Sequence, residues 1–234
     1  MKKYCAFDIE ICAIVPEGET NWKSKRPLGI SCAATLTSNG EQRLWYGGQP
    51  GTIYGDKMNL EELRGLVKYL EEAVDAGYPI LTWNGMGFDF DILAEESRLF
   101  DSCRNLALQH VDMMFHFFCL KGYPLALDTA AKGMGLPGKT PGMTGDKAPL
   151  FWSQGKRQEV LSYVAQDVRT TLDLAVETEK MQRLNWISKT GKPQVAFLPD
   201  GWLPVKDANN LPQPDNSWMK EPIDRSRFTG WAGQ

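Results

Sequence analysis

Histidine is scarce in this sequence: there are two, at positions 110 and 116 of 234 residues. A metal centre built on several imidazoles is therefore not expected. Cysteine does not supply one either. The five cysteines, at 5, 12, 32, 103 and 119, show no CxxC pair and no zinc-type spacing. They fall mostly in apolar runs and read as buried, reduced thiols. No apolar run approaches the ~20 residues of a membrane-spanning helix, so no membrane association is expected. No charged-then-apolar leader opens the sequence, and the first strand-like run begins almost at Met1. The expected location is cytoplasmic. A surplus of one charge is also missing, since 26 basic and 29 acidic residues leave a formal net charge of -3. That argues against a non-specific basic coat for nucleic acid, but a local basic groove can coexist with a cluster of acids. Internal repeats and low-complexity tracts are absent.

Against this background one stretch stands out. Tyr4 to Cys12 reads as a buried apolar strand, yet it carries Asp8 and Glu10. Strand side chains alternate faces, so the two acids point the same way, about 7 Å apart. Two carboxylates on one face of a core strand are costly unless a positive charge joins them. Divalent metal ions are one resolution. An edge strand with two solvated acids is the other.

The rest of the chain reads as alternating strands and helices. Residues 13–27 form a polar loop in which Trp22, beside Lys23, Lys25 and Arg26, either stacks a base or tucks back onto the protein. Leu28 to Thr37 and Arg43 to Tyr46 flank Asn39-Gly40, a hairpin signal. Asn59 and Glu62 form a capping box for a helix with its apolar stripe at Leu60, Leu63, Leu66, Val67 and Leu70, ended by Gly77. Pro79 to Trp83 is a short buried strand, and a turn at 84–87 leads into a helix from Phe88. Ala107 to Val111 reads as a further strand that ends at Asp112 where a helix begins. Leu127 opens a short helix that stops near Gly133. Residues 135–149, rich in Gly, Pro, Lys and Thr, make a candidate mobile rim. A long helix covers Arg157 to Met181. The order implies an α/β fold, a mixed sheet with helices on both faces.

The long helix carries Tyr163 and Asp167, four apart and so on one face. Each of these features has a plain alternative: a surface pair on a helix, or for Asp89 a favourable first-turn acid. Their order in the chain is more specific. Phe7-Asp8-Ile9-Glu10 on the first strand, Asn84-Gly85-Met86-Gly87-Phe88-Asp89 after a middle strand, and Tyr163-Val164-Ala165-Gln166-Asp167 on a late helix resemble the three signatures of the DEDD superfamily of 3′–5′ exonucleases. The tyrosine-bearing branch is the better match, and most similar is the proofreading exonuclease domain of family B DNA polymerases with its stand-alone relatives. The histidine-bearing branch needs a histidine where this chain has Ser162.

The resemblance covers about residues 4–180. It implies a ribonuclease H-like mixed five-stranded sheet with helices on both faces. That domain would span 1–184, with a C-terminal extension over 185–234. It implies that Asp8, Glu10, Asp89 and Asp167 hold two divalent ions, Mg²⁺ or Mn²⁺, for in-line attack of water on a terminal phosphodiester. Tyr163 would orient that water, since a phenol with an ordinary pKa of about 10 is a poor base at neutral pH. Asn84 and Phe88 would shape the pocket for the terminal nucleotide. Asp91, about 200° round the helix from Asp89, should face elsewhere. Asp112 and Asp128 read as helix caps. Lys139 and Lys147 read as surface lysines or phosphate contacts.

The implied substrate is nucleic acid, single-stranded DNA favoured and RNA possible, with nucleoside 5′-monophosphates as products. No polymerase domain fits within 234 residues, so repair, degradation of foreign DNA and RNA trimming stay open. A non-catalytic nucleic-acid-binding protein and a phosphoesterase for small phosphates are the other classes. The extension has a hairpin around Thr190-Gly191, then many prolines, Trp202, Trp218 and Trp231, and two arginines in Arg225-Ser226-Arg227-Phe228. It either wraps the domain or offers a stacking and phosphate surface.

Overall fold

The computed structural model describes residues 2–15, 22–49, 53–138 and 144–233, so residues 16–21 of the first loop and Lys139 lie outside the described residues. The chain opens with β1 (Cys5–Ile11), β2 (Ile30–Thr37) and β3 (Gln42–Tyr46), then a two-stranded ribbon of β4 (Gly48–Gln49) and β5 (Ile53–Tyr54). Next come α1 (Leu60–Asp75), β6 (Ile80–Thr82), α2 (Asp89–Ser97), α3 (Phe100–Gln109), β7 (Val111–Asp112) and α4 (Met113–Lys121). Helices α5 (Leu127–Gly133), α6 (Ala148–Ser153) and α7 (Arg157–Met181) follow. The chain finishes with a hairpin of β8 (Arg183–Ile187) and β9 (Pro193–Phe197) and two short helices, α8 (Val205–Ala208) and α9 (Ser226–Thr229).

Five strands form one sheet in the order β3-β2-β1-β6-β7. The β1–β2 and β2–β3 pairs are antiparallel, and β1–β6 and β6–β7 are parallel. This is the expected mixed five-stranded sheet with helices on both faces. Cys5, Phe7, Ile9 and Ile11 of β1 pack into one core with Leu63, Leu66, Val67 and Leu70 of α1. Tyr4 and Ala6 join Leu161, Val164 and Val168 of α7 in a second core on the opposite face. Burial on this scale contributes about 1.5–3 kcal/mol for each large apolar side chain. Strand parity therefore turns Asp8 and Glu10 toward α7.

One expected strand is a helix. Ala107 to Gln109 belongs to α3, and only Val111 and Asp112 pair with β6. Cys103, Leu106 and Ala107, spaced three and four apart, are the buried residues of α3, so helical periodicity decides the segment. The capping box of α1 is present, with Asn59 accepting from Glu61 and Glu62 and Glu62 reaching back.

The turn after β6 is held from two sides. Asn84 sits at φ +77°, in the left-handed region that asparagine tolerates better than most residues. Its amide donates to Asp112 Oδ1 at 2.9 Å, and the Met86 amide donates to Asp112 Oδ2 at 2.9 Å. The Phe115 amide also donates to Oδ1, at 3.0 Å, so Asp112 caps α4 as expected. Burial pushes the Asp112 carboxyl up to about 6, against the pull of these amides. On the other side the Gly85 amide donates to Thr82 Oγ1 at 3.1 Å, and Thr82 Oγ1 lies 2.9 Å from His110 Nε2. His110 Nδ1 lies 2.6 Å from the Ala107 carbonyl. A carbonyl only accepts, so Nδ1 carries the proton and Nε2 accepts from the threonine. Burial lowers His110 to about 3, which keeps it neutral.

The chain beyond α7 packs back on this framework. Trp202 is buried and its indole donates to Thr178 Oγ1 at 2.7 Å. Trp231 donates to the Met86 carbonyl at 2.7 Å, whereas Trp218 is exposed beside Tyr123. The β8–β9 hairpin lies against α5, where a Cβ on Gly133 would stand 2.1 Å from the Asn185 carbonyl oxygen.

Two predictions follow from these contacts. Gly133→Ala forces that backbone apart and should cost about 1–3 kcal/mol. The reading is a lower urea midpoint at unchanged slope; an unchanged midpoint would refute the tight contact. His110 gives a pH signature. Above its unfolded pKa of about 6.5 both states are neutral; below it the unfolded chain takes up a proton that the folded one excludes. Wild-type stability from this group therefore falls by about 1.4 kcal/mol per pH unit from 6.5 down toward 3. His110→Gln lacks that proton, and Asp112 titrates in both proteins. The stability gap between wild type and variant should narrow by that amount as the pH drops from 6.5. A constant gap between pH 7.5 and 5 would contradict it.

Candidate active site

The sheet opens where β6 ends. Strand β1 pairs with β6 only through Cys5 and Ala6. Further along, the Ile9 amide donates to Asp89 Oδ1 at 2.9 Å. Asp89 is the first residue of α2 and is buried. A side-chain hydrogen bond joins it to Asp8. Two carboxyls can share such a bond only with a proton between them. Burial pushes Asp89 up to about 7; the Asp112 charge adds to this, and the Ile9 amide and Asp8 oppose it.

The opposite side comes from α7. Tyr163 and Asp167 are both buried and lie one turn apart. The Tyr163 hydroxyl donates to the Asp167 carboxylate. Burial holds this phenol well above its ordinary value, and the charges of Asp167, Glu10 and Asp8 raise it further. The charges of three carboxylates thus act on one hydroxyl. Glu10 is 6% exposed and pairs across the sheet with Cys32, whose thiol is pushed up by burial and then by Glu10. The end of the Gly/Pro-rich segment also reaches this point, since a Cβ on Gly145 would stand 4.0 Å from the Tyr163 hydroxyl oxygen.

A cleft of about 920 Å³ lies over these groups, with Asp8, Asp167, Asn84 and Phe88 in its lining. It sits beyond the carboxyl ends of the parallel strands β6 and β7, where open α/β sheets characteristically leave a crevice. Phe88 meets Trp22 edge-on, with ring centroids 5.3 Å apart. Trp22 therefore lines the cleft while leaning on the protein. Lys23 and Arg26 pair with Asp91 at 2.8 and 2.7 Å, so Asp91 does face away from Asp89's partners.

Asp8, Glu10, Asp89, Tyr163 and Asp167 are thus linked by hydrogen bonds or close charge interactions, and Asn84 and Phe88 border the same space. Asp128 is not a cap. Ala126 precedes α5 without a side-chain cap, and Asp128 pairs with Lys132 at 2.6 Å on the cleft rim. Asp128 lies inside the first turn of α5, and the i,i+4 lysine holds its carboxylate. Lys147 is exposed before α6. Sequence reading missed Thr171, which lines the cleft; its place four residues after Asp167 was the available signal. Ile223, Arg227 and Phe228, in the tail expected either to wrap the domain or to offer a stacking and phosphate surface, also line the cleft. Among the described residues no group of three or more His, Cys, Asp or Glu side chains is arranged to hold a metal ion. The donor chemistry is nevertheless of one kind, carboxylate oxygen, which suits hard divalent cations.

A profile of the RNase_H superfamily matches residues 49–178, which takes in Asp89, Tyr163 and Asp167 and leaves out β1. The family B DNA polymerase from the hyperthermophilic archaeon Pyrobaculum calidifontis has a similar fold, with a TM-score of 0.55 at 19% identity. The alignment covers 76% of this chain and 25% of that one, so the chain spans about a quarter of the polymerase's length. No curated protein matches the sequence. A match over more than half of the 234 residues, on a mixed five-stranded sheet flanked by helices, makes this chain a member of the RNase_H superfamily.

Proposed function

We propose that the protein is a divalent-metal-dependent 3′–5′ exonuclease of single-stranded DNA, of the tyrosine-bearing DEDD kind. Nucleases of the RNase H fold generally hydrolyse nucleic acids with divalent metal ions. The observation that carries the finer reading is the convergence of Asp167, Glu10 and Asp8 on the Tyr163 hydroxyl beneath an open cleft. The choice of DNA follows the likeness to a DNA polymerase.

The residues fit a metal on one structural ground. The hydrogen bond between half-buried Asp8 and buried Asp89, with the upward push on Asp89, describes neighbouring acids whose charge needs compensation. A proton supplies it in this arrangement, and a divalent cation supplies it better. Asp8, Glu10, Asp89 and Asp167 would hold the ions, two Mg²⁺ or Mn²⁺ by analogy with the DEDD nucleases. Bound there, such ions acidify water and neutralise charge on the phosphodiester.

The protein's own groups do the rest. Tyr163 stays protonated at any physiological pH, because burial and three neighbouring carboxylates oppose its ionisation. It orients the attacking water by hydrogen bond and does not abstract its proton. Asn84 and Phe88 bound the space for the terminal nucleotide. Water adds to phosphorus and gives up a proton to solvent, the bond to the 3′ oxygen breaks and that oxygen takes up a proton from solvent, so the shortened strand ends in a 3′ hydroxyl and a nucleoside 5′-monophosphate leaves.

The test is a substrate panel of 5′-labelled single-stranded DNA, single-stranded RNA and duplex with Mg²⁺, Mn²⁺ or chelator. The expected result is a DNA ladder shortening from the 3′ end, lost in chelator and in Asp8→Ala. Tyr163→Phe should lower kcat by about 10²-fold, the scale of a misplaced reactant. Preference for RNA would overturn the substrate. No degradation of any polymer with either metal would sink the nuclease.

A further inference from the structure

The cleft has a wall that does not come from the superfamily-matched region. That region ends at residue 178, yet Ile223, Arg227 and Phe228 line the same space as Asp8 and Asp167. The C-terminal segment is fixed there by specific contacts. Arg225 is buried, and its guanidinium donates to four main-chain carbonyls: Asn209 and Leu211 at 2.7 Å, Pro212 at 3.0 Å and Cys119 at 3.3 Å. Phe228 packs against Phe118 and Phe115, with centroids 4.8 and 5.9 Å apart. It also reaches the turn that carries Asn84 and Phe88. A Cβ on Gly87 would stand 2.7 Å from Phe228 Cδ1, so only glycine admits the ring. Trp231 ties the segment to the same turn through the Met86 carbonyl.

This anchoring leaves Arg227 exposed at the cleft. The charges in the lining make its role specific. Among the described lining residues three are acids, Asp8, Asp128 and Asp167, and two are bases, Lys23 and Arg227. Lys23 is engaged by Asp91 at 2.8 Å. Among the described residues Arg227 pairs with no carboxylate. A guanidinium fork beside an apolar wall matches a strand that brings a phosphate and a base together.

We infer that the C-terminal segment is a built part of the substrate site: Arg227 binds a backbone phosphate of the nucleic-acid strand, and Ile223 and Phe228 form the apolar wall beside it. The inference rests on the nuclease reading and extends it to residues outside the superfamily match.

The test uses the full chain. In the Asp8→Ala background, which removes turnover, binding of a labelled oligo-dT strand is measured against NaCl. Adding Arg227→Gln should reduce the slope of log K against log salt by about 0.7, the share of one phosphate contact on a single strand. Arg227→Lys should restore that slope. In the active protein, Arg227→Gln should raise KM several-fold with kcat within about twofold and with an unchanged thermal midpoint, because the side chain is exposed. A salt slope and KM equal to those of the parent proteins would overturn the inference while leaving the nuclease intact. Absence of both binding in Asp8→Ala and degradation by wild type would remove the nuclease reading, and this inference with it.

Discussion

Where β6 stops at Thr82, its neighbour β1 runs on, and the amide of Ile9 faces a buried space with no strand beside it. A buried amide without an acceptor costs about 1–3 kcal/mol. Asp89 removes that cost by accepting the bond, and in doing so it brings a carboxyl against Asp8. The arrangement depends on α2 starting at that point. That start depends in turn on a chain reversal within residues 83–88, with Asn84 in the left-handed region. Asp112 on one side and the Thr82–His110 pair on the other hold the reversal in place. A defect in any of these reaches the acids through the backbone, without touching them.

The same opening sets the electrostatics. Parity turns Asp8 and Glu10 toward α7, and α7 returns Tyr163 and Asp167 to meet them. The protein thus gathers negative charge under a cleft while its buried arginine, Arg225, is satisfied by carbonyl dipoles elsewhere. Carbonyls stabilise that cation without supplying a formal charge to offset the acids. The demand for a positive partner at the acids therefore stays local to the cleft.

Much of this was legible in the sequence, for identifiable reasons. β1, the β2–β3 hairpin, α1 and α7 announce themselves through period, turn residues and caps, all of which are local. The acids were legible because each lies in a short ordered motif. α3 was not, because its apolar residues are few and the stretch leading to Val111 reads equally as a strand; the helical spacing of Cys103, Leu106 and Ala107, seen only once the helix packs against α2, decides it. Asp128 was misread because an acid at a helix start has two local uses, and the lysine four residues on claims it. Arg225 and Arg227 differ by two positions and look alike in sequence. Only the fold buries one among carbonyls and points the other to the cleft.

That split has a consequence for how the site is divided. Asn84 and Phe88 belong to the turn after β6, inside the superfamily match, and their placement is coupled to Asp89 through the start of α2. Ile223, Arg227 and Phe228 come from outside it and meet the turn at Gly87. The first wall cannot change without shifting the acids, because one backbone carries both. The second is a separate segment, held by Arg225 on main-chain carbonyls of Cys119, Asn209, Leu211 and Pro212 and by Trp231 on the Met86 carbonyl of that same turn. Arg227, exposed and not one of these anchors, is the position on that wall where a substitution changes the cleft while the turn, the acids and Tyr163 keep their geometry.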